Sequence, residues 1–419
     1  MREKRVQSWL EQINAIGNSE NGINRLAYTP EESEAIELFS VFCEKEGMSV
    51  YEDAAGNIIA RRQGNADLPS VAVGSHLDTV YSGGCFDGAL GVIAGLEVVS
   101  RLNEKNIQTT HPIDIIVFRS EESSRFGVST IGSKWIAGEG SSSIAYLEDK
   151  DGIRFDQAVE KAGFTFSDFS DAEKGEGAFK AFLEMHIEQG PALENANQSI
   201  GIVTGIAAPL RVKVTVTGQA SHSGTTSMDA RKDALTGASE LILALEKAAQ
   251  KEKDKNTVAT VGCIKTYPGA INVVPGECIM DIDIRSTDVA SRKQVLRAIQ
   301  QKGKEIESSR RLHVQFDYLS EEEPVPLSKD IQAELEAACQ RLEISPLSLV
   351  SGAGHDVMNM AKKWPSGLLF VPSVNGLSHH PDEFTKGTDI MEGIDVLEQT
   401  IVCLAGKVER GVHDETIFS

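Results

Sequence analysis

Histidines and acids set among glycines are the residues of this sequence best placed to do chemistry. In GSHLDTVYSGGCFDG (74–88), His76 closes an apolar run and Asp87 follows within a glycine-rich turn. Gly83, Gly84 and Gly88 let that loop fold back far enough to bring Asp87 near His76. Asp78, two residues after His76, faces the same side of a strand. There it can accept a hydrogen bond from the second imidazole nitrogen and fix the tautomer for metal binding. In SEESSRFG (120–127), Glu121 and Glu122 end a second apolar run. Burying two adjacent acids requires a compensating positive charge. One of them can ligate a metal while the other takes a proton from water. FLEMHIEQGPALE (182–194) sets His186 in an apolar–polar alternation, with Glu184 and Glu188 on its face. SVNGLSHHPDEFT (373–385) offers His379 and His380 ahead of Pro381. Each stretch alone reads as well as a polar strand end, a structural histidine or an exposed loop. Together they supply His, Asp, Glu, His and His in matching contexts. Such donors suit zinc, with manganese, cobalt or nickel as alternatives. Five ligands with one shared carboxylate are the stoichiometry of two divalent ions about 3.5–4 Å apart. Asp87 is the expected bridge.

The elements that must hold these residues read as an α/β fold. Helices are expected at 3–17 and 31–47, the second opened by Thr29 as cap and Pro30 in the first turn. Residues 50–64 read as two short strands around Ala55-Gly56-Asn57. The runs 71–76 and 112–122 read as buried strands ending in polar residues, with a buried helix at 88–105 between them. Strand–helix–strand with polar strand ends predicts a site at the C-terminal edge of the sheet. From about residue 211 the pattern changes to β-α-β-β-α-β, the order of a ferredoxin-like α+β unit. After about 325 the helix–strand alternation returns. The expected organisation is a larger discontinuous domain, 1–210 and 326–419, with a mixed sheet flanked by helices, and an inserted domain at 211–325.

A chain of 419 residues exceeds the size at which one core stops growing, which also favours two domains. The net charge of −21 argues against nucleic acid or an acidic membrane surface as partner, because either needs a basic footprint. A small anionic substrate remains open, since one arginine can hold it. The six cysteines are scattered without a Cys-x-x-Cys pair and read as buried small hydrophobes in a reducing compartment. The start, MREKRVQSWLEQI, has no signal-type apolar run, and no stretch approaches the ~20 residues of a membrane span. A cytoplasmic protein is expected.

At this point the sequence resembles a known family, the hydantoinase/carbamoylase amidases, relatives of the dimetal aminoacylases and carboxypeptidases. The resemblance runs through nearly the whole chain in seven ordered motifs: GSHLDTVYSGGCFDG, EESSRFG, HIEQG, ASHSGTTSMDARKDA, NVVPG with DIRS, SGAGHD and GLSHHPDE. It implies one metal held by His76, Asp87 and His186, and a second by Asp87, Glu122 and His379, with zinc first among the candidate ions. Glu121 would be the general base and acid. His379, not His380, aligns with the family pattern Ser-His-x-Pro-x-Glu. His186, where the peptidase cousins usually carry an acid, favours the amidases. Arg285 would take a substrate carboxylate, Gln189 and Asn272 would offer amides, and Gly354 a backbone contact. His222 would reach the site of a partner subunit and steady an oxyanion, so a homodimer through the inserted lid is implied. Ser123, Ser223 and Ser227 depart from the family's Gly, Ala and Pro, which bears on pocket shape. The implied reaction is hydrolysis of N-carbamoyl-L-amino acids to the amino acid, ammonia and carbon dioxide. Allantoate is the nearest alternative substrate. A dimetal peptidase or N-acyl amino acid deacylase, and a catalytically silent binding protein, are the others.

Overall fold

The computed structural model describes residues 2–408. His413 and the end of the expected 326–419 segment lie outside the described residues. The described chain divides into two compact units. One comprises the chain up to Thr204, Leu327–Leu349 and the chain from Gly354 onward; the other comprises Gly205–Pro326 and Val350–Ala353. Thus the returning segment Val350–Ala353, read as part of the larger domain, groups with the second unit. The second unit also begins earlier than residue 211. Sequence periodicity does not register a strand that belongs to one body and ends in another.

In the first unit, Ser70–His76 and Ile113–Phe118 are buried at every residue. Strands apolar on both faces need cover on both sides, which parallel sheets receive from their crossover helices. Ser70–His76 pairs in parallel with Ile113–Phe118 on one side and with Phe179–Ile187 on the other. Ser366–Val371 continues the parallel set beyond Phe179–Ile187. Antiparallel strands complete the mixed sheet: Ile58–Arg62 and Ser49–Glu52 at one side, and Gly201–Ile206 against Ser366–Val371 at the other. The helix Ala89–Glu104 is buried over nearly its whole length and packs on the central strands, as its all-round apolar surface requires.

The end of Ile113–Phe118 is fixed by a buried ion pair. Thr29 caps the helix Pro30–Lys45 by accepting from the Glu32 amide at 3.3 Å. Glu32 itself is fully buried and accepts from Arg119 Nη1 at 2.8 Å and from the Tyr28 amide at 2.6 Å. Arg119 also donates through Nε to the Gly56 carbonyl, and its amide donates to Asn57 Oδ1. Two and three residues later come Glu121 and Glu122. Replacing Glu32 by Ala leaves the buried Arg119 charge with only the exposed Glu52 carboxylate, at 3.7 Å, to offset it, so unfolding stability falls by about 3–5 kcal/mol. The midpoint of urea denaturation reads this loss.

The stretch between Phe126 and Phe179 forms only short helices, including Ile131–Ala137 and Phe155–Lys161. They gather around Tyr28, Phe126, Phe155 and Phe169, with Phe126 and Phe155 edge to face at 5.1 Å. Helices of two turns carry too few residues to display a period, which is why sequence reading finds no element there.

In the second unit the order is strand Ala208–Thr217, helix Ala234–Lys251, strands Val258–Tyr267 and Glu277–Ser286, helix Val289–Arg310 and strand His313–Glu321. The four strands form one antiparallel sheet in which Glu277–Ser286 and Ala208–Thr217 are central. Alternate residues of the central strands are buried beneath the two helices. The expected β-α-β-β-α-β order is therefore present. Only three of the cysteines behave as buried hydrophobes: Cys43, Cys278 and Cys339. Cys85 and Cys263 are half-buried and Cys403 is exposed, and all six are free thiols. Among the described residues no helix is long and apolar enough to cross a membrane.

Candidate metal centre

Four parallel strands deliver the candidate ligands to one edge of the larger sheet. His76 ends Ser70–His76, and the loop that follows brings Asp87 back over it. Glu121 and Glu122 follow Ile113–Phe118, His186 is the penultimate residue of the strand Phe179–Ile187, and His379 follows Ser366–Val371. The C-terminal edge of a parallel sheet is where such folds open a crevice.

Asp87 stands at the middle with its two oxygens turned to different neighbours. Oδ1 lies 3.5 Å from His76 Nε2 and 3.2 Å from His186 Nε2. Oδ2 lies 3.3 Å from His379 Nε2, which is itself 3.3 Å from Glu122 Oε1. The ligand atoms of His76, Asp87 and His186 lie within 4.8 Å of one another, and so do those of Asp87, Glu122 and His379. Glu121 Oε2 lies 3.7 Å from His76 Nε2. Glu184, His186 and His355 also come together, but Glu184 accepts from Ser75 Oγ and from the Val357 amide. Those bonds already use both of its oxygens.

This donor set fits two divalent ions. His76 Nδ1 faces the Asp78 carbonyl and His186 Nδ1 faces the Ile187 carbonyl, both at 2.9 Å. A carbonyl only accepts, so both Nδ1 atoms carry hydrogen, and both Nε2 atoms are left to face Asp87, where a bound ion would replace any proton they carry. Gly88, in left-handed backbone, leaves space that a Cβ would fill at 2.4 Å from the His76 ring. Among the described residues, the ion pairs of Asp87, Glu121 and Glu122 are all with histidines. Buried acids without lysine or arginine partners call for a bound cation.

Electrostatics separates the acids by role. Burial works against ionised Asp87, yet His186, joined by His379 and His76, holds its carboxyl well below the usual range. Burial pushes Glu121 well above that range; His76 opposes the shift, while Glu122, Asp356 and Asp78 add to it. Hydrogen bonds with Asp87 and Glu122 push His379 up to about 11. In this arrangement protons on histidines supply the positive charge that cations would supply. A buried carboxyl whose proton affinity its surroundings raise is the type of group that shuttles a proton.

Several positions differ in detail from the sequence reading. Asp78 does not orient His76 through its carboxylate, which is 3.5 Å from Nδ1; its carbonyl does so. The chain leaves the strand at His76, so the alternation that would align the two side chains is broken. The Asp78 carboxylate instead accepts from the amides of Glu121 at 3.1 Å and Glu122 at 2.9 Å, locking the loop that carries both acids. Glu188 turns away from the face of His186 to accept from the amides of Ala192 and Leu193. Gln189 donates to Asp87 Oδ2 at 2.7 Å, so its amide nitrogen braces the bridge, and its oxygen is left without a partner. His380 Nδ1 accepts from the Asp382 amide and belongs to none of the ligand groups.

In the second unit, Ser221–His222 pairs with Val273–Val274, and the Ser223 amide donates to the Asn272 carbonyl. His222 and Asn272 are thus neighbours on one short ribbon. His222 Nδ1 accepts from the Gly224 amide at 3.0 Å, which leaves Nε2–H exposed as a donor. Arg285 is not a free fork: Nε and Nη2 each donate to Asp283 at 3.1 Å, and Nη1 donates to the Gly352 carbonyl at 2.8 Å. The two residues stand two apart on one strand face, a pairing the D-x-R spacing could have signalled. At Gly354, in the first unit, a Cβ would meet only Met358 Sδ at 3.4 Å, so packing does not demand glycine there.

Glu383 is the supporting residue that sequence reading passed over. Buried under the Asp87 loop, it accepts from the Phe86 amide at 2.8 Å and the Asp87 amide at 3.0 Å. Ser378 Oγ lies within hydrogen-bond reach of both Glu383 and Asp87. Its signal was present as the final acid of the SHHPDE motif. Glu383→Ala is expected to weaken metal binding about 10–100-fold, the usual effect of removing an outer support. Chelator competition on the folded protein measures it.

Left-handed backbone at non-glycine residues is spread over the described chain, and three such residues fall at this site. Ser120, Gln189 and His379 all adopt left-handed backbone, with φ of 57°, 59° and 55°. Non-glycine residues rarely stay there unless their surroundings impose it, and such residues cluster at functional sites.

Comparison with known proteins gives this site its class. The model of Peptidase family M20/M25/M40 matches residues 72–402. The chain belongs to that family, on its hydantoinase/carbamoylase amidase branch. It is 43% identical to an uncharacterized hydrolase of Haemophilus influenzae, over 95% of this chain and 97% of the relative. To the N-carbamoyl-L-amino acid amidohydrolase of Geobacillus stearothermophilus it is 40% identical, over 96% and 98%. To the allantoate amidohydrolase of Escherichia coli it is 33% identical, over 95% and 96%. Among solved structures, a hydantoinase/carbamoylase family amidase from Burkholderia multivorans superposes with a TM-score of 0.90 at 32% identity, over 96% and 98%.

Proposed function

We propose that this chain is a dimetal amidohydrolase that cleaves a linear C–N bond of a ureido compound, with an N-carbamoyl-L-amino acid as substrate. The observation that carries the reading is the placement of Asp87, one oxygen toward His76 and His186 and the other toward His379 and Glu122. In this reading His76, Asp87 and His186 hold one divalent ion, and Asp87, Glu122 and His379 the other, zinc being the first candidate and manganese, cobalt or nickel the alternatives. When bound, such ions acidify water and polarise a carbonyl. Glu121 accepts the proton of the attacking water and returns it to the leaving nitrogen. Asp78 keeps Glu121 in place through its backbone amide, and burial sets its proton affinity. Arg285, preorganised by Asp283 and Gly352, takes the substrate carboxylate. His222, with Nε2–H exposed, donates to the oxyanion, and Asn272 and Gln189 contact the substrate, as does the backbone at Gly354.

His222 acts in this reading across a homodimer formed through the inserted domain. A protein that sediments as a monomer with full turnover would sink that part. The reading also places the protein in the cytoplasm, on a small anionic substrate, with neither nucleic acid nor membrane as partner.

Parallel measurements of ammonia release from N-carbamoyl-L-methionine and from allantoate test the substrate. The first is expected to turn over faster, in a chelator-sensitive manner. Faster turnover of allantoate would favour the second reading, which the 33% identity to an allantoate amidohydrolase supports. Turnover of dipeptides or N-acetyl amino acids alone would replace the reading by a peptidase or deacylase. Silence on all of them with metal bound would leave a binding protein.

A further inference from the structure

A second cavity, of about 640 Å³, lies within the first unit behind the Asp87 loop. Its walls are the first helix, Arg2–Asn14, the segment Cys85–Phe86, and the segment that runs from Glu383 into the last helix, Gly387–Ala405. The volume is in the range of small-molecule sites. Val6, Leu10, Ile23, Phe86, Phe384 and Met391 give it an apolar body. Gln7, Asn14, Asn18 and Thr385 add neutral polar groups. The charged groups share one sign: the exposed Glu3 and Glu11 and the buried Glu383 line the cavity, and among the described residues no lysine, arginine or histidine does. Asn14, also on the wall, donates its amide nitrogen to the Cys85 carbonyl at 2.7 Å, and its buried Oδ1 has no partner. A buried amide oxygen takes any N–H or O–H donor, and the acids on the same walls favour one that carries positive charge.

We propose that this cavity binds a small molecule with an apolar body and a primary ammonium group, and that its occupancy is felt at Asp87. The coupling runs through Glu383. This residue is at once a wall of the cavity and the acceptor for the amides of Phe86 and Asp87. An ammonium group near Glu383 competes for the oxygens that hold the bridge-bearing loop. The ligand therefore shifts the grip of the metal centre on its ions without touching them.

The test uses the metal-loaded protein and three probes of one length: n-hexylamine, hexanoate and hexan-1-ol. Calorimetric titration is expected to show the amine binding at least tenfold tighter than the other two. Met391→Trp, which fills the cavity, weakens amine binding at least tenfold and leaves turnover unchanged. Ala15→Trp, at another residue that lines the cavity, does the same where the first variant folds poorly. At saturating amine, metal loss to a chelator changes at least threefold in the parent and is unchanged in the filled variants. Equal affinity for the three probes would mark a merely apolar crevice and overturn the proposal. So would amine binding that survives both filled variants, or no binding at all. Unaltered metal loss in the amine-saturated parent overturns the coupling. None of these readouts requires the substrate to be known.

Discussion

Glu121→Gln is expected to keep two metal ions and to lose about 10²–10⁴ in kcat, the span that a positioned general acid–base supplies. The substitution preserves volume and the backbone amide that Asp78 holds. It removes the only thing the role requires, a site that can accept and return a proton. The direction follows from the surroundings of Glu121. Burial and three neighbouring acids raise its proton affinity, and His76 restrains the rise. A neutral glutamine at that position relieves acid–acid repulsion, so the folded protein is no less stable and its metal content is undiminished. Metal analysis beside single-turnover kinetics separates the two effects. Full turnover in a metal-replete Glu121→Gln protein would remove Glu121 from the chemistry.

The second large effect is expected at Asp87→Asn. An amide cannot serve two cations as a carboxylate does. Gln189 and Ser378, which donate to Oδ2, would then face either a weaker acceptor or a second donor. Metal content falls from two ions per chain to one or fewer after dialysis. Turnover falls about 10³-fold or more, equivalent to roughly 4 kcal/mol of transition-state stabilisation. Elemental analysis of the dialysed protein against the parent reads the first number directly. A variant that retains both ions would show that the bridge is some other group.

The parts of this site legible in sequence were those with local marks. His76, Glu121 and Glu122 end apolar runs, and a buried strand that stops at an ionisable residue announces itself. Asp87 sits among glycines that its loop needs, Gly88 above all. The β-α-β-β-α-β order of the second unit was legible because each of its elements is long enough to show a period. What was hidden depends on distant pairings. Asp78 holds amides more than forty residues away, and Glu383 supports a loop almost three hundred residues earlier. The pairing of Arg285 with Asp283, by contrast, was within reach of the sequence, since D-x-R spacing puts both on one strand face. The short helices around Phe155 left no trace for a different reason. Their order comes from aromatic packing, and packing has no period.

The position of Ser366–Val371 in the larger sheet has a consequence for how the protein is made. This strand leaves the ribosome late, yet it lies between Phe179–Ile187 and Gly201–Ile206, which leave it much earlier. At about 5–20 residues per second, the earlier strands wait roughly ten to thirty seconds for the partner that joins them. During that interval Phe179–Ile187, buried at all but one residue in the finished fold, has an unpaired edge, and the candidate ligand His186 has no His379 to meet. The segment synthesised meanwhile is the second unit, whose own sheet closes with local connections. Biosynthesis therefore puts a self-contained body in the gap, and the metal centre becomes complete only when nearly all of the chain has emerged.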